Sequence, residues 1–301
     1  MNNKIQDFFN EHEHFIKEIK ITLSLIKNSP LTLIGIIIII ELIILALFAP
    51  LLILPGEDVY LGMYPDRVLL PPNSKYLFGT DEMGRDIFSR CVYGTRISLQ
   101  VGIIVIAIAA TIGIILGGVS GYFGGIIDEI IMRITDAFLS IPSLILALAV
   151  GASLGPGLNN AIAAIAVTWW PWYARLVRSQ VLQIKEELYI EAARAIGGNK
   201  LYIIIKHILP NCISPIIVNA SMDIGYAILT AASLGFLGLG AQAPTPEWGL
   251  MISSGRKYMP SCWWYATFPG LMIFQSVLGF NLLGDGLRDI LDPRIRRRMR
   301  K

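Results

Sequence analysis

Long apolar stretches, interrupted by short polar ones, run through most of this chain. A helix rises 1.5 Å per residue, so about 20 apolar residues cover the roughly 30 Å hydrocarbon core of a membrane. Six stretches approach or exceed that length, which predicts an all-α, polytopic bundle with six transmembrane helices. The predicted spans are Leu31 to Leu54, Ile97 to Tyr122, Asp136 to Leu154, Leu158 to about Tyr173, Cys212 to Leu234 and Phe268 to about Gly286.

The polar segments predict the rest of the organisation. Residues 1–30 are charged and carry apolar side chains near helical spacing, which indicates an amphipathic helix on the membrane surface that ends at a proline. Residues 55–96 form a turn-rich extracytoplasmic loop. A membrane core follows at 97–287 and contains a polar hairpin at 185–210. The basic tail at 288–301 is of the kind that meets anionic membrane lipids.

The composition agrees with a membrane protein. Of the 301 residues, 54% are hydrophobic and only 16% are charged, which excludes an ordinary soluble domain. The three cysteines lack metal or redox spacing and predict free thiols. Cys91 and Cys262 lie on the same predicted side, so a disulfide between them stays open. His12 and His14 lack a third ligand nearby, and we expect no metal site there.

The basic residues orient the bundle. With both termini in the cytoplasm, the cytoplasmic segments carry 18 Lys and Arg residues and the external segments carry 7. Multi-pass proteins usually carry their excess of positive charge on the cytoplasmic side. The count therefore predicts a cell-membrane protein with the hairpin at 185–210 in the cytoplasm and the loop at 55–96 outside.

The hairpin is a polar island in an apolar chain. Lys185 to Ile196 is rich in helix formers, and Gly197 or Gly198 supplies the left-handed residue that ends a helix. Asn199 can cap a second helix. Glu191 stands beside two small residues, so a partner could approach this face closely and pair with the carboxylate. On helix propensity alone, an ordinary solvated loop between two spans stays open.

The spacing of the hairpin residues adds a family resemblance. Glu191-Ala192-Ala193, then Gly197, then His207-Ile208-Leu209-Pro210 resembles the cytoplasmic coupling signature of ABC importer permeases. His207 stands where the general signature has an apolar residue, and this form is similar to the peptide and nickel branch. The resemblance implies that the hairpin docks in a groove of a separate ATPase subunit. It assigns Glu191 and Gly197 to docking and hairpin geometry, and Leu209-Pro210 to the joint with the fifth span.

Two further segments carry the same resemblance. Phe78 to Asp86 and the tail from Leu287 to Arg294 are similar to the corresponding segments of peptide and nickel permeases. From its residues alone, the first segment is a solvated loop with internal ion pairs. The resemblance covers about residues 75 to 296 and implies the type I ABC importer permease fold, in the second of two permease subunits. The implied partners are a sister permease, two ATPase subunits and an extracytoplasmic substrate-binding protein.

No motif for catalysis appears in the sequence. There is no Gly-x-x-x-x-Gly-Lys-Ser/Thr phosphate loop and no nucleophile with a base, so we expect neither an enzyme nor a cofactor. The basic tail is explained by lipid and predicts no nucleic acid. Peptide import is the leading interpretation, and import of nickel or another metal chelate is the alternative. An ion-gradient-coupled carrier and a membrane scaffold are the rivals from other classes.

Polar groups inside the predicted spans are candidates for a transport pathway, because they are costly in a membrane. The candidates are Asn219, Asp223 and Gln275. For Asp223, a helix contact or a gating polar bond stays open. For the same reason, Glu41 in the first span should face protein or water.

Small and aromatic residues predict how two of the spans pack. A stripe at four-residue intervals predicts close helix packing by the second span, and it consists of Ala109, Gly113, Gly117 and Gly121. The aromatic cluster from Trp169 to Tyr173 predicts an interfacial belt at the end of the fourth span rather than a ligand cage.

Overall fold

The computed structural model describes residues 22–53 and 56–291, in which the regular elements are helices and no strand forms. This confirms the all-α class. In chain order the α-helices are α1 (Pro30–Leu52), α2 (Ile87–Phe123), α3 (Gly125–Leu139), α4 (Ser143–Leu154), α5 (Leu158–Ile184), α6 (Leu188–Ala195), α7 (Lys200–Ile203), α8 (Leu209–Phe236), α9 (Trp248–Gly255) and α10 (Trp264–Leu291). A π-helical turn at Ile204–Ile208 joins α7 to α8.

Within the described residues, four helical segments are long and apolar enough to cross a membrane: α1, α2, α10 and the continuous helix Lys200–Phe236. The pair α3 and α4 would make a fifth span if it is counted as one, but it bends by 90°. The predicted single helix from Asp136 to Leu154 is therefore wrong. Ile141 precedes Pro142, and a residue before proline is disfavoured in the helical region, so the chain turns between the two helices. The count of six spans stays a prediction.

Two helices extend beyond the predicted spans. The second span was expected from Ile97, but α2 begins at Ile87 because the Asp86 side chain accepts a hydrogen bond from the Ser89 backbone N–H at 2.8 Å and caps the helix. The fourth span was expected to end at about Tyr173, but α5 continues to Ile184. The predicted amphipathic helix lies mostly outside the described residues, although 22–28 are helical, and most of the basic tail also lies outside them.

Close contact between α2 and α5 confirms the predicted role of the small-residue stripe. A Cβ on Gly113 would lie 2.2 Å from Tyr173 Cβ, and one on Gly117 would lie 2.4 Å from the Ala174 carbonyl oxygen. Contacts this short leave no room for a side chain, so the glycines let the two backbones meet. This pair of helices forms the centre of the molecule.

The buried apolar residues form two clusters that lie against different parts of α2. One contains residues of α2, α5 and α8 and the buried side chains of the hairpin. The other contains residues of α1, α9 and α10 and the first turns of α2. All three cysteines are buried free thiols, so Cys91 and Cys262 do not pair. Because α2 has 37 residues, its two ends are about 55 Å apart.

Candidate functional site

The hairpin is built from two short helices and a glycine turn. Helix α6 ends in the backbone pattern of a Schellman motif: the Gly198 N–H donates to the Ala193 carbonyl and the Gly197 N–H to the Arg194 carbonyl, both at 3.0 Å. Gly197 has φ +84°, which identifies it, and not Gly198, as the left-handed residue. The Asn199 side chain accepts from the Leu201 N–H at 3.1 Å and caps the next helix, as predicted.

One face of the hairpin is anchored to the bundle. Ile190, Ile203 and Ile208 are fully buried in the cluster that includes α5 and α8. The Arg194 guanidinium lies 5.6 Å from the centre of the Tyr122 ring, at the end of α2. The anchored face holds the glycine turn at the far end of α2 from its N-terminus.

The opposite face of the hairpin is exposed and largely apolar. Ile196 is 87% exposed and Leu188 is 80% exposed. The other exposed large apolar and aromatic residues of this face are Tyr189, Leu201, Tyr202 and Ile205. Glu191 and Ala192 are exposed within the same hairpin, and Ala193 is half-buried. Large apolar side chains gathered on a surface loop mark a site that another protein or a membrane covers.

The joint expected at Leu209-Pro210 is not a break in the helix. The helix runs unbroken from Lys200 to Phe236, so the hairpin and the predicted fifth span are joined through Leu209-Pro210 without a loop. Proline lacks an N–H and its ring clashes with the carbonyl four residues back. The π turn relieves this, since the Leu209 N–H reaches back to the Ile204 carbonyl. His207 is half-buried, and its ring stands edge-on to the Tyr202 ring with centroids 5.4 Å apart.

A cavity of about 560 Å³ opens between α5 and α8. Asn219 and Asp223, two of the three predicted pathway residues, line it. The third, Gln275, does not: its Nε2 donates to Glu41 Oε2 at 2.8 Å and joins α10 to α1. Inside the cavity the Tyr173 hydroxyl donates to Asp223 Oδ2 at 2.7 Å. The sequence gives no sign of that partner, because fifty residues separate the two.

The aromatic cluster of α5 lies in the middle of the helix, and part of it faces this cavity. Trp169, Trp172 and Tyr173 line the cavity, whereas Trp170 is buried in the protein. The helix continues for eleven residues beyond Tyr173, so the cluster does not mark a helix end, and the interfacial belt stays a prediction. Periodicity alone could not distinguish an interface from a cavity wall here.

Residues 56–86, which we call the polar cap, fold over the N-terminus of α2. The predicted internal ion pairs are present, but solvation is wrong for Asp81, which is fully buried, and for Arg85, which is nearly so, as is its neighbour Arg90 in α2. Asp81 Oδ2 accepts from Arg85 Nε at 2.8 Å, and Asp81 Oδ1 accepts the backbone N–H groups of Met83 and Arg85 at 2.9 Å. The internal partners replace water around the carboxylate.

Burial shifts the pKa values of two carboxyl groups that cap helices near this end of the molecule. Burial raises the pKa of the Asp86 carboxyl, and hydrogen bonds from Ser89 offset part of the rise. Burial likewise raises the pKa of Glu247, which accepts the Gly249 and Leu250 backbone N–H groups at 2.9 Å and caps α9. Both groups hold helix starts in place, and neither lies in the cavity.

A family model described as "binding-protein-dependent transport system inner membrane component" matches residues 98–297 of this chain. The chain belongs to that family. The permease is 48% identical over 270 residues to the probable D,D-dipeptide transport system permease protein DdpC of Escherichia coli K12, covering 90% of each chain. It is 50% identical over 271 residues to the dipeptide transport system permease protein DppC of Alkalihalophilus pseudofirmus, covering 90% of this chain and 88% of the other.

Other comparisons agree with this family. The permease is 50% identical over 231 residues to the glutathione transport system permease protein GsiD of Pectobacterium atrosepticum, covering 77% of each chain. An inward-facing structure of the MetNI methionine ABC transporter superposes with a TM-score of 0.53 at 22% identity, covering 67% of this chain and 97% of the other. The permease therefore has the type I ABC importer permease fold and is a multi-pass component of the inner membrane. Membership in this family implies ATPase and binding-protein partners.

Proposed function

We propose that this permease is one of two membrane subunits of an ATP-driven peptide importer. The observation that carries the proposal is the exposed apolar face of the hairpin, which surrounds the acidic Glu191 and is held by a rigid turn. A helix with a surface of this kind fits a hydrophobic groove on a partner. The partner is an ATPase subunit, so ATP is hydrolysed outside this chain and this chain moves in response.

The cargo is a short peptide. The relatives described above are named for dipeptides, D,D-dipeptides and glutathione, and all of these are peptides or close to them in size and charge. The cavity of about 560 Å³ falls within the range of about 300 to 1,000 Å³ typical of small-ligand sites. A binding protein would deliver the peptide at the end of the bundle that carries the polar cap.

The arrangement in the membrane follows from the same proposal. The bundle crosses six times, both termini are cytoplasmic, and the hairpin is cytoplasmic. The sister permease completes the pathway, and two ATPase subunits engage one hairpin on each permease. A Glu191→Cys variant in intact cells should react with a thiol reagent only after the membrane is made permeable. Labelling from outside would refute this orientation.

Reconstitution tests the function. The permease, its sister and the ATPases are placed in lipid vesicles with a binding protein, and uptake of radiolabelled alanyl-alanine is measured with and without ATP. ATP-dependent peptide uptake is the expected result. Uptake of Ni²⁺ without peptide uptake would support the nickel alternative. Uptake that persists without ATP and collapses with an ion gradient would indicate a carrier, and assembly without any flux would indicate a scaffold.

A variant of the hairpin tests the docking surface itself. Ile196 is 87% exposed, so Ile196→Asp should leave the fold intact while placing a charge in the docking groove. We expect at least a tenfold loss of ATPase capture on affinity beads and of uptake, with unchanged membrane insertion. Leu61→Asp is the matched control, because Leu61 is 76% exposed in the polar cap and should leave ATPase capture unchanged. Equal capture by the two variants would contradict the assignment.

A further inference from the structure

The cavity between α5 and α8 has a polar stripe along one wall. Asn219, Asp223, Tyr226 and Thr230 follow each other at intervals of four, three and four residues on α8, so they lie on one helix face. The facing wall on α5 carries Trp169, Trp172 and Tyr173. The cavity is therefore bounded on one side by a polar stripe that contains the Asp223 carboxylate, and on the other side by aromatic rings.

Among the described residues, one charged side chain of the cavity wall has no partner of opposite charge. The Arg175 guanidinium lines the cavity, but it pairs with Asp136 Oδ1 of α3 at 2.5 Å. Asp223 receives a hydrogen bond only from a neutral hydroxyl, that of Tyr173, and no Lys or Arg of the described residues forms an ion pair with it. One carboxylate in the cavity wall therefore lacks a compensating cation.

Two polar neighbours of Asp223 have oxygens that can accept hydrogen bonds. The Asn219 Nδ2 group donates to the Pro215 carbonyl at 2.8 Å, and the Thr230 hydroxyl donates to the Tyr226 carbonyl at 2.8 Å. Because each side chain uses a donor inside α8, its oxygen remains as an acceptor. A ligand that carries several N–H donors and a positive charge matches this wall.

The aromatic wall favours the same ligand. A cation over the face of a tryptophan or tyrosine ring is attracted by the ring's negative face, and more strongly where water is excluded. Trp172 is 61% exposed, so its ring is accessible from the open side of the cavity. An ammonium group is small enough to contact a carboxylate and an aromatic face at once.

We propose that the cavity binds the α-ammonium group of a peptide, with Asp223 as its counter-ion and the tryptophan wall beside it. This inference rests on the proposed function, because a peptide is the cargo that carries such a group. It makes Asp223 a specificity-determining residue inside the permease. Selection for a free amino terminus would then take place in the membrane.

Ligand binding to the assembled complex tests the inference without transport. Saturation-transfer NMR is recorded on the purified complex, without ATP or binding protein, with two probes: alanyl-phenylalanine amide, which is cationic, and its N-acetyl form, which is neutral. We expect the cationic probe to bind at least tenfold more tightly to the unaltered complex. Asp223→Asn should abolish that preference, whereas Asp223→Glu, which keeps the charge, should retain it in part.

A matched carboxylate serves as the control. Glu41 lies within α1, accepts a hydrogen bond from Gln275 and does not line the cavity. Glu41→Gln removes a charge from another membrane helix and should keep the full preference for the cationic probe. Equal loss of preference in Glu41→Gln and Asp223→Asn would overturn the assignment of a local ammonium site.

Two further outcomes would overturn the proposal and differ from failure of the proposed function. If Asp223→Asn binds the cationic probe as well as the unaltered complex does, Asp223 is not the counter-ion. If Asp223→Asn and Asp223→Glu both release the sister subunit, the carboxylate belongs to the subunit contact and not to a ligand site. Absence of peptide uptake by the unaltered complex would instead refute the transport proposal, and the NMR preference would still report on the ammonium site.

Discussion

The polar cap and the hairpin lie at opposite ends of α2 and distribute their side chains in opposite ways. In the cap, Asp81 and Arg85 are buried, and Asp81 pairs with Arg85 and with the buried Arg90 at the start of α2. In the hairpin, Ile196 and Leu188 stand in solvent. Buried charges need fixed partners, whereas exposed apolar groups gain free energy only when something covers them. The Asp81 carboxylate therefore has its charge partners within the described chain, whereas the apolar face of the hairpin remains exposed.

Two glycines carry the same contrast at the level of the backbone. Gly84 in the cap has φ +75°, and a Cβ there would lie 2.2 Å from the Tyr64 carbonyl oxygen. Gly197 in the hairpin has φ +84°, and a Cβ there would meet nothing within 4 Å. The first glycine is required by both conformation and space, and the second by conformation alone. The space around Gly197 is what a docking partner would use.

The largest expected effect comes from breaking the buried charge pair of the cap. Asp81→Ala leaves two buried arginines without their carboxylate, and the cost of breaking such a pair is about 3 to 5 kcal/mol. Thermal unfolding of the purified complex, followed by tryptophan fluorescence, should show a marked fall in the midpoint. Glu129→Ala is the control, because Glu129 and Arg133 form an exposed pair at 3.6 Å. Similar midpoints for the two variants would show that the cap does not depend on its buried charges.

The second largest effect is expected from substitutions of Gly84 and Gly197. Gly84→Val combines backbone strain with a clash and should destabilise the complex by more than Gly197→Val, which adds only strain of about 1 to 2 kcal/mol. Gly197→Val should nevertheless abolish peptide uptake while the complex still inserts, because the docking turn is lost. Both stability and uptake are measured on the same preparations.

Asparagine at the same position separates conformation from side-chain bulk. Asparagine adopts the left-handed region more readily than other non-glycine residues, so Gly197→Asn should keep a large part of the uptake. Normal uptake by Gly197→Val would remove the coupling assignment. Loss of uptake in both variants would mean that the surface, rather than the turn, rejects any side chain at this position.

The smallest expected effect is a change of the unfolding midpoint with pH that is caused by Asp86 of the cap. The pKa of Asp86 in the folded protein is raised above its ordinary value of 3.8, so the native state binds a proton more readily than the unfolded chain. This group therefore lowers stability at neutral pH, and the loss is recovered as pH falls through the raised pKa towards 3.8. Asp86→Asn keeps a capping oxygen and should flatten this part of the pH profile of the unfolding midpoint. An unchanged profile would contradict the assignment.

Local patterns in the sequence predicted the features that depend on local geometry. The positive φ at Gly197 follows from a glycine after a run of helix formers, and the cap at Asn199 follows from a polar residue before the next apolar run. The close approach at Gly113 and Gly117 follows from small residues at four-residue intervals. In each case the residues that determine the structure are neighbours in the chain.

Features that depend on distant residues were not predictable in this way. Burial of Asp81 requires the polar cap to fold over α2, and the hydrogen bond from Tyr173 to Asp223 requires α5 to pack against α8. Gln275 looked equivalent to Asn219 in the sequence, but its side chain donates to Glu41 of α1 and does not line the cavity. The exposed apolar face of the hairpin was predictable from the sequence, because Leu188, Ile196 and other apolar residues occur within a segment too polar to span a membrane.

The unbroken helix from Lys200 to Phe236 has a mechanical consequence. Its first turn belongs to the hairpin, and Asp223 lies about 35 Å further along the same rod. Under the proposed function, a displacement of the hairpin would reach the cavity wall as a tilt or rotation of this helix, because no loop separates the two. The π-helical turn at Ile204–Ile208 is where this helix departs from α-helical geometry. A change in that turn would rotate the part of the helix that carries Asp223, and so the cavity wall.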